Sequence, residues 1–270
     1  MKKIGSILLS VLLTTVVFSG CGSTSQKSDS EANTIKVGVT AGPHEEIIQK
    51  VKEVAKKQGM NVEYTSFNDY VQPNTQLNEK QLDVNIYQHE PYLKQFNKDH
   101  NMNLVKVANA VTFPMGIYSS KLKSLAQLKD GDKISLPNDP TNEARALMLL
   151  EKGKVIKLKS GVSLKATIKD IAENPKHIQF LELEAPMVPR SLSDVAVAAI
   201  NTNYAIQAKL DPNKDAIFKE PKDSPWINII AARPDNKDAE NVKKLIKIYQ
   251  SDEVKKYIDE HFKGSVIAAF

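Results

Sequence analysis

Strand-like and helix-like stretches alternate from residue 34 to the end of this chain, and that alternation restricts the fold more than any other feature. Residues 34–40 (TIKVGVT) have the β-branched pattern of a strand. Pro43 then opens a stretch in which Ile47, Ile48, Val51, Val54 and Ala55 share one helical face before Gly59. Residues 61–65 read as a second strand and 83–88 (DVNIYQ) as a third, and Pro91 suits the first turn of the helix that follows. Further strands are expected at 104–108 and 111–119. The pattern then recurs as a strand at 133–136, a helix to residue 150 with Asp139 as N-cap, and a helix over 163–174. Strands at 178–183, 195–200 and 227–232 and helices at 239–249 and 252–262 complete the chain. This order predicts an α/β fold, with sheets covered by helices.

The length of 270 residues accommodates two α/β halves of about 110 residues each. The extended stretches 111–119 and 225–232 are the candidate crossovers between them. Two-lobed proteins of this kind bind ligands in the cleft and close by hinge motion.

Residues 1–33 follow another logic. Lys2 and Lys3 precede an apolar run over 4–18, Ser19 and Gly20 follow, and then comes Cys21, the one cysteine of the chain. This is the layout of a secretory signal, and its apolar run is shorter than the roughly 20 residues a spanning helix needs. A cysteine directly after small residues resembles a bacterial lipobox, in which it is lipidated and becomes the first residue of the mature protein; Phe18 stands where Leu is commoner. The other reading is an ordinary signal peptide with an incidental cysteine. Residues 22–33 are too polar to bury a core and read as a flexible tether. Removal of residues 1–20 takes away two lysines and no acids, lowering the formal charge from +5 to +3. That excess is spread along the chain with no dense basic block, which argues against nucleic acid as the main partner. With a single cysteine no internal disulfide and no Cys/His zinc cluster can form.

Familiar catalytic signatures are missing. No GxxxxGK[ST], GxGxxG or GxSxG occurs, and His44-Glu45 fails as HExxH because position 48 is Ile. What remains is an aromatic concentration: Tyr64, Phe67, Tyr70, Tyr87, Tyr92 and Phe96 fall within 33 residues. Tyr64 and Phe96 read as core. Tyr70, Tyr87 and Tyr92 lie beside turn residues and strand ends, where α/β folds place ligand sites, and a tyrosine offers an apolar face with one hydrogen bond. His89 falls between a strand and a helix and reads either as a cap or as a cleft residue.

A second concentration is PNDPTNEAR, residues 137–145. Asn142 and Arg145 are three apart and share a helix face. An arginine early in a helix opposes the helix dipole, and a carboxylate ligand would reconcile the two. The alternative is an ion pair with Glu143 or a neighbour. Lysines outnumber arginines 34 to 3, which singles out Arg145, with Arg190 and Arg233 as rivals. Asn201 and Asn203 follow the apolar strand VAVAAI, and Asn228 interrupts the apolar run WINII. An amide in such a run either satisfies backbone groups or faces a ligand.

The stretches FNDYVQPN (67–74), YQHEPYL (87–93), PNDPTNEARAL (137–147), ELEAPMVPRSL (182–192), AINTNYA (199–205), SPWINII (224–230) and DNKDAENVKKL (235–245) together resemble the NlpA-type methionine-binding lipoproteins that serve ATP-binding-cassette importers. The resemblance spans the mature chain. It implies a two-lobed periplasmic-binding-protein fold of type II-like form, with residues 34–112 and 227–270 in one lobe and 113–226 in the other. It implies a lipid-anchored protein on the extracytoplasmic face that captures methionine or a close analogue and passes it to the permease of an importer, without catalysis or cofactor. Tyr70, Tyr87, His89 and Tyr92 would surround the thioether. Arg145 would grip the ligand carboxylate beside Asn142, and Asn201 and Asn228 would hold the amino-acid head group, with Asn203 in second rank. Glu143 and Ala144 stand where relatives often have Leu and Gly. A methionine-containing dipeptide or another apolar amino acid is the alternative ligand. An enzyme using His89 and Glu90 as acid and base has no nucleophile, metal or cofactor motif to support it.

Overall fold

The computed structural model describes residues 33–221 and 224–270; the signal, Cys21 and nearly all of the tether lie outside the described residues. In chain order the strands and helices are β1 (Thr34–Thr40), α1 (Pro43–Lys57), β2 (Asn61–Phe67), α2 (Gln72–Asn78), β3 (Val84–His89), α3 (Glu90–His100), β4 (Val105–Thr112) and β5 (Gly116–Tyr118). There follow β6 (Lys133–Pro137), α4 (Pro140–Lys152), β7 (Lys157–Leu158), β8 (Ile171–Glu173), β9 (Gln179–Leu183), β10 (Val197–Ile200), α5 (Thr202–Gln207) and β11 (Ala216–Lys219). The chain ends with β12 (Ile227–Ala232), α6 (Glu240–Tyr249), α7 (Asp252–Phe262) and β13 (Ile267–Ala268).

Two mixed sheets organise these elements. The first has the order β13-β4-β12-β3-β1-β2 and draws strands from both ends of the chain; the second, β11-β5-β10-β6-β9, uses only the middle. β1 pairs in parallel with β2 and β3, and β6 with β9 and β10, as strands joined through helices must. β12 enters antiparallel between β3 and β4, so residues far apart in sequence complete the first sheet. β10, buried along its whole length, reads as the apolar run VAAI, as strands covered on both faces do, whereas the equally buried β3 carries Asn85, Gln88 and His89 among its apolar residues.

Each sheet has its own core. Ile35, Val37 and Val39 pack against Ile47, Val51 and Val54 of α1 and against Val242 and Leu245 of α6. Ile134 and Leu136 pack against Leu147 and Leu150 of α4 and Val197 of β10. The expected helix face at 47–55 is thus the face α1 buries. Gly42, at φ +83°, turns the chain from β1 into Pro43 in a backbone region open to glycine.

Three expectations are corrected. The segment 163–174 is not a helix: it holds one 3-10 turn, Ile168–Asp170, and then β8. The side chains of Thr167 and Asp170 close on each other's backbone N–H, and Glu143 accepts from the Ile168 N–H at 3.0 Å, so local polar partners replace helical ones. The strand expected at 104–108 and the first two residues of the strand expected at 111–119 form one strand, β4, whose irregular pairing with β12 absorbs the break at Asn109. The remainder of 111–119 is interrupted at residues 113–115, and β5 beyond it belongs to the other sheet. The short helices α2 and α5 had no apolar periodicity to announce them.

Candidate ligand-binding site

The carboxyl ends of β3, β6 and β10 converge on one narrow slot of about 360 Å³, the space at its open mouth included. Tyr70, Tyr87, His89, Tyr92, Asn142, Arg145, Asn201 and Asn228 all line it, joined by Gln88, Phe113, Thr202 and Asn203. β3 delivers Tyr87, Gln88 and His89, and β12 delivers Asn228. α4 begins directly beyond β6 and carries Asn142 and Arg145 in its early turns, while Asn201, Thr202 and Asn203 follow β10. Ligand sites in α/β folds gather at such strand ends because the loops there are free of the ladder.

The tyrosines form one wall. The ring centroids of Tyr70, Tyr87 and Tyr92 are 5.8–6.1 Å apart, and the hydroxyls of Tyr87 and Tyr92 both donate to the Tyr70 carbonyl, at 2.7 and 3.0 Å. Burial pushes the phenols of Tyr70 and Tyr87 well above their ordinary range, so they remain neutral donors. Tyr70 reaches across to the other sheet's residues, donating to Asn203 Oδ1 at 2.7 Å, and Tyr204 donates to the Asn68 carbonyl at 3.2 Å.

His89 is both cap and cleft residue. Its Nδ1 accepts from the Tyr92 N–H at 3.1 Å, capping α3, which leaves the proton on Nε2, 3.4 Å from Asn142 Oδ1. Burial, followed by the charge of Arg145, holds its pKa down at about 3, so the imidazole is neutral. Asp139 caps α4 as expected, accepting from the Asn142 N–H and also from its amide nitrogen at 3.0 Å. Asn142 Oδ1 in turn accepts from Asn201 Nδ2 at 2.9 Å.

Arg145 is buried, and its partner is neither Glu143 nor any other neighbour in sequence. Its Nε meets Glu220 Oε1 at 2.8 Å and its Nη2 meets Glu220 Oε2 at 2.5 Å and the Phe113 carbonyl at 2.7 Å. The carboxylate that answers the misplaced charge on α4 is therefore supplied by the protein itself. Nη1 makes no hydrogen bond among the described residues. The ring of Trp226 lies 5.3 Å from the Arg145 guanidinium and 4.9 Å from the His89 ring. The two rivals play no part in the slot: Arg233 is buried on the carbonyls of Leu77 and Leu82, and Arg190 is exposed.

Two buried amide atoms at the slot have no partner among the described residues: Asn201 Oδ1, an acceptor, and Asn203 Nδ2, a donor. Unpaired buried polar atoms cost about 1–3 kcal/mol each, and a pair of opposite kinds beside the Arg145 guanidinium suits a ligand carrying both an ammonium and a carboxylate. Sequence reasoning missed Gln88, Phe113, Thr202 and Glu220. Gln88 and Thr202 stand inside the quoted motifs 87–93 and 199–205, whereas Phe113 and Glu220 fall outside every quoted motif and have no local signal. No group of three or more potential metal ligands occurs among the described residues.

Residues 35–270 match the NlpA lipoprotein family. The D-methionine-binding lipoprotein MetQ of Salmonella typhi is 49% identical over 259 residues, spanning 95% of this chain and 94% of that one. A nutrient-binding protein from Burkholderia cenocepacia, solved bound to methionine, is 51% identical with a TM-score of 0.85 over 87% of this chain and all of that one. The crystal structure of the methionine-binding protein MetQ is 49% identical with a TM-score of 0.86, covering 88% and 99% of the two chains. These likenesses extend over both sheets and every element that lines the slot, and the chain belongs to the NlpA lipoprotein family.

Proposed function

We propose that this protein captures methionine between two lobes, residues 34–112 with 227–270 and residues 113–226, and delivers it to an ATP-binding-cassette importer. The observation that carries the reading is the placement of Asn201 Oδ1 and Asn203 Nδ2, unpartnered among the described residues, with the Arg145 guanidinium at the slot whose other wall is Tyr70, Tyr87 and Tyr92. The carboxylate of an amino acid takes Arg145 and Asn203, its ammonium takes Asn201 and Asn228, and the thioether lies against the tyrosines and His89. Relatives described as methionine-binding support the choice of side chain.

The magnitudes agree. Burial of a methionine side chain contributes about 1.5–3 kcal/mol, sulfur–aromatic contacts roughly 0.3–1.5, and a charge-assisted hydrogen bond about 1.5–3. Micromolar binding needs about 8 kcal/mol, so the contacts must act together in a slot that excludes water. Bonds that span both sheets, such as Tyr70 to Asn203, exist only with the lobes together. A ligand held by both lobes therefore shifts the population toward the closed form, which the permease recognises.

The same reading places the protein on the extracytoplasmic face of a membrane, anchored by acyl chains on Cys21. Each buried methylene contributes about 0.8 kcal/mol, and two or more chains give stable anchoring. Among the described residues no helix is long and apolar enough to cross a membrane. Native mass spectrometry of the purified protein, with release and identification of its ligand and calorimetry against L- and D-methionine, tests the proposal. Methionine in the released fraction, unaltered on incubation, supports binding without turnover. A protein that releases none and gives no heat with either enantiomer overturns it.

A further inference from the structure

The orientation of the Asn228 amide is decided by groups behind it. Its side-chain nitrogen lies 3.0 Å from the Tyr87 carbonyl oxygen and 2.9 Å from His44 Nε2. A carbonyl only accepts, so this atom is the NH₂ group, and its second hydrogen points at His44 Nε2. That ring nitrogen must then be unprotonated, which puts the ring proton on Nδ1. Nδ1 lies 2.9 Å from Thr40 Oγ1 and donates to it.

The relay is buried throughout: Thr40 is 0% exposed, His44 3% and Asn228 6%. The His44 ring is further held against Phe113, at 4.5 Å between centroids. With both amide hydrogens engaged, Asn228 Oδ1 is the polar atom left for the slot, and it has no hydrogen bond among the described residues. An atom that only accepts rewards a ligand that brings N–H donors to it.

We propose that His44, fixed in its Nδ1–H tautomer by Thr40, is a positioning residue that makes Asn228 an acceptor for the ligand's free ammonium and so selects amino acids over acids that lack the amine. The inference rests on the amino-acid reading of the slot. His44 touches no ligand; it acts through Asn228.

Calorimetry with methionine and with 4-(methylthio)butanoate, which has the same side chain and carboxylate but no amine, tests it on full-length protein. His44→Phe is expected to weaken methionine by about tenfold or more, the scale of a hydrogen bond to a charged group, and to leave the desamino acid within about twofold. His44→Gln, which keeps an acceptor near the Nε2 position, restores most of the preference. Thr40→Val keeps shape while removing the acceptor for Nδ1–H; it shifts the His44 tautomer in ¹⁵N–¹H spectra of the imidazole and lowers the preference for methionine in step. It also keeps the test open should His44→Phe not fold. Equal weakening of both compounds by His44→Phe, or an unshifted preference in Thr40→Val, overturns the role assigned to His44. If the unaltered protein binds neither compound, the amino-acid reading itself fails, and that outcome is distinct.

Discussion

The guanidinium of Arg145 and the carboxylate of Glu220 form a two-point ion pair, Nε to Oε1 at 2.8 Å and Nη2 to Oε2 at 2.5 Å, with both side chains less than a tenth exposed. Glu220 Oε2 also accepts from the Met115 N–H at 2.9 Å and from Ser224 Oγ at 3.2 Å, so the pair fastens both stretches that connect the two sheets.

Arg145→Ala leaves that carboxylate buried and unpaired, and a loss of about 3–5 kcal/mol of stability is expected, together with loss of methionine binding. Replacing both partners, as Arg145→Met with Glu220→Leu, should recover most of the stability and none of the binding. Chemical denaturation and calorimetry on the single and double variants check both halves. Recovery of binding in the double variant would show that Arg145 is not the carboxylate clamp.

Tyr70→Phe removes the bond to Asn203 Oδ1 that crosses between the sheets. A neutral hydrogen bond contributes about 0.5–1.5 kcal/mol net, so affinity should fall by roughly threefold to tenfold with little change in melting temperature. Arg145→Ala is expected to lose more affinity than Tyr70→Phe. Titration calorimetry on the two variants ranks them.

His44 and His89 are buried and hold pKa values near 3, lowered first by desolvation, against about 6.5 in the unfolded chain. Below pH 6.5 the unfolded state takes up protons that the folded state refuses, so stability falls as pH drops from about 6.5 toward 3. Each histidine contributes a slope of up to about 1.4 kcal/mol per pH unit in that window, and above it the contribution is constant. Denaturant midpoints measured from pH 7.5 to 4 in wild type and in His89→Gln should diverge, the variant showing the shallower loss.

Cys21→Ser should release the mature protein from the membrane fraction without altering its affinity for methionine. Fractionation of cells, with mass spectrometry of the N-terminal peptide for acyl groups, reads the outcome. An unchanged membrane fraction would exclude Cys21 as the anchor.

How far the sequence discloses this site depends on how local each contribution is. Tyr87, His89 and Tyr92 fall at one strand-to-helix junction, and Asn142 and Arg145 in the first turns of one capped helix, so strand ends and cap residues point to them. The motif resemblance puts Asn203 in second rank, yet one of its amide atoms holds Tyr70 and the other has no partner among the described residues. Glu220 could not be found in this way: it lies 75 residues from Arg145 and carries no pattern that separates it from a surface acid. His44 stands 184 residues from Asn228, and only the insertion of β12 beside β3 brings them together. The failed helix at 163–174 has the opposite cause. Its apolar spacing is helical, but Thr167, Asp170 and the distant Glu143 offer the backbone better short-range partners.

Trp226 is the chain's one tryptophan, and it stands between Arg145 and His89, two residues that line the slot. All indole emission from this protein therefore originates at the edge of the cleft. A guanidinium recruited by an arriving carboxylate, or an imidazole moved by a side chain, changes the field and the quenching felt by that single fluorophore. Occupancy and closure can be followed on the millisecond scale in unlabelled protein, and a second indole introduced on the opposite wall would report each lobe's approach in turn.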